Sequence, residues 1–300
     1  MSYLGTIGLE IHAQLRTASK LFCSCPAAFS DQPNTHVCNI CLGFPGALPS
    51  LNGQALRQAL KVASALGMAI PAEIRFDRKH YFYPDLAKSY QVSQFYSTLG
   101  RNGSSSVEVR GRVIPVRIRE VHLEEDAGKL LHAGEESMVD FNRAGVPLLE
   151  LVTEPDFHIG EEAETFFRYY QLLLRTIDSS EANMELGQMR CDANVSVSRQ
   201  RNQLGTRVEI KNISSPRFIR LAIDYEIQRQ IGILEAGGTI QHETRRWNEN
   251  RGRTESMRSK ELALDYRYLQ EPDLAVVRIT PAELKKIGSL PELPDPRRSL

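Results

Sequence analysis

Acidic side chains interrupt the hydrophobic pattern of this chain at three places where a strand calls for apolar residues. They are Gly8-Leu9-Glu10-Ile11-His12, His122-Leu123-Glu124-Glu125-Asp126-Ala127-Gly128-Lys129 and Val146-Pro147-Leu148-Leu149-Glu150-Leu151-Val152. In the third, a carboxylate sits inside a nearly continuous aliphatic run, the signature of a buried strand. An unpaired buried charge costs several kcal/mol or more. Glu150 therefore needs a partner: a cation, a hydrogen-bonding cluster or a metal. Glu10 and His12 are two residues apart, so on a strand they share a face. One histidine and several carboxylates on one face suit Mg²⁺ held beside a substrate phosphate. Taken singly, each segment fits a structural ion pair with arginine equally well; three together favour a site.

The rest of the pattern predicts an α+β protein. Thr6–Leu15 alternates as a strand. A helix starts at the N-cap Asn52 and runs through Ala55, Ala59, Val62, Ala63 and Leu66 to Gly67. Tyr90–Tyr96 reads as a short strand. Val107–Arg110, Gly111 and Val113–Glu125 read as a hairpin leading into the acidic cluster. Ser137–Asn142 and Leu148–Thr153 are predicted to pair. Glu161–Ile177 is helical, with two glutamates in its first turn. Arg190–Ser198 alternates strongly, with Asp192, Asn194, Ser196 and Ser198 on one face, and Thr206–Lys211 is expected beside it. A further helix starts at Pro216 behind Ser214 and Ser215 and stops before Gly237-Gly238. Strands and loops continue to about Ile279, and Thr280-Pro281 opens a last short helix. Hairpin-linked strands outnumber helices, which favours a largely antiparallel sheet over a doubly wound fold.

Three hundred residues with 25% charged side chains and zero net charge fit a soluble globular chain with a sizeable core. Nothing global steers it to nucleic acid or membrane. No apolar run of spanning length is present, and the N-terminus passes directly into a strand without a signal peptide, so the expected compartment is the cytoplasm.

In such a compartment Cys23-Ser24-Cys25 and Cys38-Asn39-Ile40-Cys41 read as metal ligands before disulfides. Two close pairs joined by a loop, spanning about 22–45, can wrap four thiolates around one structural Zn²⁺ and leave no open position. The alternative is four free buried thiols. Cys191 stands apart as a core residue.

The chain has no phosphate-binding glycine loop of either common type and no nucleophile elbow. A nucleotide would have to be held by metal ions and basic side chains on a sheet. Candidate metal ligands are Glu10, His12, Glu124, Glu125, Glu150 and Asp192. Lys79, Arg78, Arg143 and Arg190 are candidates to neutralise phosphate. Phosphoryl transfer needs little beyond positioning and this electrostatic clamp.

These segments also carry a resemblance. Ile7-Gly8-Leu9-Glu10-Ile11-His12, Phe76-Asp77-Arg78-Lys79, Tyr81-Phe82-Tyr83-Pro84-Asp85, Leu123-Glu124-Glu125-Asp126-Ala127-Gly128-Lys129, Arg190-Cys191-Asp192-Ala193-Asn194, Glu209-Ile210-Lys211-Asn212, Glu243-Thr244-Arg245-Arg246 and Asp265-Tyr266-Arg267-Tyr268 resemble the B-subunit family of aspartyl/glutamyl-tRNA(Asn/Gln) amidotransferases. The match runs from residue 3 to about 298.

The resemblance implies a ligase that uses ATP and Mg²⁺ to phosphorylate the side-chain carboxylate of Glu on tRNA(Gln) or Asp on tRNA(Asn). Ammonia from a glutaminase A subunit would then displace the phosphate, with a small C subunit steadying the assembly. It implies a catalytic fold similar to glutamine synthetase and the guanidino kinases over residues 1–290. It further implies Mg²⁺ ligands at Glu10, His12, Glu125 and Glu150, with Glu124 adjacent. Lys79 would face phosphate, and Arg190 and Asp192 would line the same cradle. Family members continue past Leu290-Pro291-Glu292-Leu293-Pro294 into helical and tail domains. Residues 291–300 are thus expected to start a linker, and the tRNA grip of this chain is expected to be weak. Leu269-Gln270-Glu271-Pro272 departs from the family's usual aromatic and proline, for which a local loop change is expected. Two other readings fit the same residues: a carboxylate–amine ligase acting on a free amino acid, and a non-catalytic scaffold.

Overall fold

A computed structural model describes residues 3–134, 136–200, 203–257 and 265–295. The chain opens with β1 (Leu4–Gln14), α1 (Gly53–Ala65), β2 (Glu73–Ile74), β3 (Asp77–His80) and β4 (Tyr90–Ser93). There follow β5 (Gly100–Val109), β6 (Arg112–Glu125), β7 (Lys129–Ala133), β8 (Glu136–Asp140), β9 (Pro147–Thr153) and α2 (Gly160–Thr176). The last part holds β10 (Met189–Ser198), β11 (Val208–Ile213), α3 (Pro216–Glu235), β12 (Glu243–Asn248), β13 (Arg253–Ser256), β14 (Leu269–Gln270), β15 (Val277–Arg278) and α4 (Pro281–Ile287).

Eight strands form one sheet in the order β13-β12-β11-β10-β1-β9-β6-β5. Every neighbouring pair in it is antiparallel except β11 with β12. The α+β reading with a mostly antiparallel sheet therefore holds. One face of the sheet is apolar: Ile7, Leu9, Ile11 and Ala13 of β1, Leu149 and Leu151 of β9, and Cys191, Ala193, Val195 and Val197 of β10 are all buried. They join Phe166, Phe167 and Tyr170 of α2 and Ile219, Ala222 and Ile223 of α3 in one core. Strand alternation then sends Glu10, His12, Glu150, Arg190 and Asp192 to the opposite face.

One predicted pairing is corrected. The segment 137–142 does not pair with 148–153. β8 pairs with β7 instead, closing around Gly134 at φ 65°, while β9 lies between β1 and β6. That hairpin closes over two residues, where the pairing expected from the sequence would close over five. The departure at 269–272 begins with a short strand: β14 pairs with β3, Leu269 opposite Arg78 and Gln270 opposite Asp77. Residues 296–300 of the expected linker lie outside the described residues.

Candidate active site

The site is assembled by register. β1 is flanked by β9 and β10, so His12 lies opposite both Glu150 and Arg190, and Glu10 lies opposite both Val152 and Asp192. On the far side of β9, His122 of β6 faces Glu150. A row of His122, Glu150, His12 and Arg190 thus crosses four adjacent strands. Glu124, two residues beyond His122, points to the same side.

His12 Nε2 stands 3.6 Å from Glu150 Oε1 and 3.9 Å from Glu124 Oε1. Ligand atoms of all three side chains lie within 4.8 Å of one another. These separations exceed a hydrogen bond. In an octahedral Mg²⁺ shell with bonds of about 2.1 Å, neighbouring ligands lie about 3.0 Å apart and opposed ones about 4.2 Å, and the observed spacings fall between. Burial, reinforced by the Arg190 charge, lowers His12 to about 3, so its ring is neutral and free to coordinate. Burial and the facing Glu124 carboxylate raise Glu150 to about 8, and burial raises Glu124 as well. Two desolvated carboxylates held together are the arrangement a divalent cation relieves. For His122 burial alone would lower the pKa, but the Glu120 contact and the Glu150 charge outweigh it and raise it to about 9.

A second carboxylate group adjoins the first. Ligand atoms of Glu10, Asp192 and Glu209 lie within 4.8 Å of one another, on β1, β10 and β11. Glu10 Oε1 accepts from Asn194 Nδ2 at 2.9 Å, and Asp192 Oδ1 accepts the Asn212 backbone N–H at 2.7 Å. Burial raises Asp192 to about 6. Glu10 and His12 thus share a face but head different clusters.

Glu125, grouped with the ligands at the sequence level, is turned the other way. Adjacent strand residues face opposite sides, so Glu124 takes the place beside His12. The Glu125 carboxylate is paired with the Lys88 ammonium, and its Oε1 accepts the Val92 N–H at 2.9 Å. Arg78 is likewise committed. Its guanidinium forms a fork on Glu271 with two contacts of 2.8 Å, reaches Asp273 at 3.0 Å, and covers the Tyr90 ring at 4.4 Å. Arg143 donates to the Ala127 and Gly128 carbonyls at 2.9 and 2.7 Å, bracing the loop after β6. Arg190 reaches Asp126 at 3.4 Å. Lys79 makes no ion pair within 4 Å among the described residues; its ammonium lies 4.6 Å from the Tyr266 ring centre and 5.8 Å from that of Tyr81. Its charge is felt at His12, Glu124 and Glu150.

His122 and Glu209 were assigned no role from sequence. His122 was signalled by its spacing of two from Glu124, and Glu209 by polar alternation with Val208 and Ile210.

The four cysteines converge: ligand atoms of Cys23, Cys25, Cys38 and Cys41 lie within 4.8 Å of one another. The sulfurs of Cys38 and Cys41 are 3.9 Å apart, against about 3.8 Å for the edge of a tetrahedral zinc–thiolate centre. Gly43, two residues on, turns at φ 70°. No described helix is long and apolar enough to cross a membrane.

The family described as GatB/GatE catalytic domain matches residues 5–285. Curated relatives are described as the B subunit of aspartyl/glutamyl-tRNA(Asn/Gln) amidotransferase. The one from Moorella thermoacetica is 49% identical over 303 residues, covering 99% of this chain and 64% of the relative. The one from Brevibacillus brevis is 47% identical over 301 residues, covering 99% and 63%. The one from Anaeromyxobacter sp. is 48% identical over 295 residues, covering 97% and 61%. The chain thus spans less than two thirds of the length of these relatives.

Proposed function

The chain belongs to the GatB/GatE catalytic-domain family, and from that premise we propose that it is the carboxylate-activating part of a tRNA-dependent amidotransferase, working with ATP and a divalent cation. The substrate is the side-chain carboxylate of Glu carried on tRNA(Gln) or Asp carried on tRNA(Asn). That carboxylate attacks the terminal phosphorus of ATP, ADP leaves, and an acyl phosphate results. Ammonia from a glutaminase A subunit then displaces phosphate to give the amide, within a complex completed by a C subunit. The observation that carries this reading is the His12, Glu124 and Glu150 cluster, in which a neutral imidazole and two mutually repelling carboxylates lie at cation-binding separations.

Each group has a task in this reading. His12, Glu124 and Glu150 hold the cation, with Glu10, Asp192 and Glu209 as a neighbouring acidic set. A divalent cation held there would offset charge on the phosphate oxygens. Lys79 and Arg190 add positive charge at the rim, where an anionic substrate would otherwise be repelled. The aromatic faces of Tyr266 and Tyr81 hold the Lys79 ammonium without neutralising it. We assign Glu125 and Arg78 to support of the site rather than to ligand contact, since both are already paired. The sheet is of the glutamine synthetase and guanidino kinase type in this reading. The four cysteines form a structural Zn²⁺ centre, and the compartment is the cytoplasm.

The test is ADP release by this chain combined with A and C subunits, with and without Glu-tRNA(Gln), in Mg²⁺ buffer. Release that depends on the charged tRNA is expected. Release driven equally by free glutamate would point to a tRNA-independent ligase, and no release from an intact complex that holds the charged tRNA would remove the catalytic reading of these residues.

A further inference from the structure

Lys20 is the one lysine among the fully buried described residues, at 0% exposure. Its Nζ lies 2.6 Å from the His36 carbonyl oxygen, 3.2 Å from that of Phe141 and 3.7 Å from Cys41 Sγ. Two carbonyl oxygens and a sulfur around one nitrogen match the three N–H donors of an ammonium. No carboxylate among the described residues lies within 4 Å of it. A buried cation without an anion is strongly disfavoured. The one neighbour in contact that can carry negative charge is the Cys41 sulfur, which also receives the Cys38 backbone N–H at 3.1 Å. Four thiols are neutral, and so are the same sulfurs paired as disulfides. Four thiolates around Zn²⁺ carry two net negative charges.

The same lysine is wedged against the strand ends that bear the acidic site. Gly145 turns at φ 85°, and a Cβ there would lie 3.5 Å from Lys20 Cδ, 3.7 Å from Cys41 Cβ and 3.9 Å from Glu125 Oε2. The next residue, Leu21, donates its N–H to the Gly145 carbonyl at 2.8 Å, and Gly145 N–H donates to the Asp126 carbonyl at 2.9 Å. Asp126 in turn contacts Arg190.

We propose that Lys20 is the built-in counter-cation of a four-thiolate zinc centre and the strut that ties this centre to the Glu125–Asp126 end of β6. The proposal rests on the zinc reading given above and extends it to a positioning residue outside the ligand set. In that zinc reading all four sulfurs are thiolates, and Lys20 faces the one on Cys41.

The experiment compares wild type with Lys20→Met, each purified without added zinc. Three quantities are read: zinc per chain, zinc transfer to a competing chromophoric chelator, and the protons displaced per zinc from the native mass. Wild type is expected to hold one zinc with four protons displaced. Lys20→Met is expected to surrender zinc at least tenfold more readily. Stripping zinc from wild type is expected to speed amide exchange at Asp126 and Gly145. Equal retention of zinc by Lys20→Met overturns the counter-cation role and leaves the zinc centre standing. Absence of zinc from wild type overturns both. Should Lys20→Met not fold, the wild-type measurements decide: fewer than four displaced protons, or exchange at Asp126 and Gly145 indifferent to zinc, sinks the proposal.

Discussion

Glu150 shows what one residue in the wrong-looking place can mean. Burial and the facing Glu124 hold its pKa up to about 8, so a cation entering the cluster must displace a proton. Affinity for Mg²⁺ or Mn²⁺ should therefore rise with pH up to about 8, by up to about tenfold per unit while one proton is exchanged. Without a cation the sign of the stability effect follows from linkage. Between the ordinary carboxylate range and about 8 the folded state keeps a proton that the unfolded state has lost. Stability must then fall as pH rises through that window. Urea unfolding of cation-free protein at pH 6 and pH 8.5 checks this; equal stability at both would contradict the buried, repelling pair. Glu150→Gln should reduce tRNA-dependent ADP release on the order of 100-fold or more, while cation-free stability at pH 8 holds or rises because a buried charge is gone. Undiminished release would remove Glu150 from the cation site. At this scale the sequence located the anomaly, since a lone Glu in Leu148-Leu149-Glu150-Leu151-Val152 is legible in one dimension. It could not say which of Glu124 and Glu125 joins it. That choice depends on the phase of β6, and both residues fit an alternating strand.

Elements were legible wherever a cap or turn residue punctuates the pattern. Asn52 starts α1 as expected: its Oδ1 accepts the N–H groups of Gln54 and Ala55 at 2.9 and 3.2 Å, and its Nδ2 donates to the Ser19 carbonyl at 3.0 Å. Asn52→Ala should cost about 1–2 kcal/mol, a fall of about 2–4 °C in Tm; an unchanged Tm would mean that the cap contributes nothing. Arg78 was harder to read, because its partner lies almost two hundred positions away in the chain. The Glu271 side chain is 1% exposed and is held by the Arg78 fork where β14 meets β3. Arg78→Met strands that carboxylate and should cost about 3–5 kcal/mol, whereas removing both charges together should cost much less. If the single and double variants unfold at the same urea concentration, the pair is not coupled. No local pattern reveals such a pair. The same limit explains the mispairing predicted for 137–142, where a run of strand-forming residues does not state its partner.

At the scale of the whole molecule, the helical layer fixes where the acidic face ends up. α2 and α3 cross so closely that a Cβ at Gly160 would lie 2.4 Å from the Arg220 carbonyl oxygen. Gly160→Ala should push the helices apart and destabilise the fold by about 1–3 kcal/mol, read as a lower urea midpoint with an unchanged slope. No loss would mean that the layer relaxes freely. The chain's own pattern gave the types of its longer elements, the apolar face of the central strands, the four-cysteine loop and the residues from which a cation site would be drawn. Those follow from period, capping and spacing, which act over a few residues. The folded sheet is what places β1 between β9 and β10, so that His12 meets Glu150 while Glu10 joins Asp192 and Glu209. The tertiary structure also set Arg78 against Glu271, Arg143 against the Ala127 and Gly128 carbonyls, and Glu125 against Lys88. The physical reason is register: the contacts of Glu10 and His12 join residues more than a hundred positions apart, and a shift of one residue would turn each of these side chains to the opposite face.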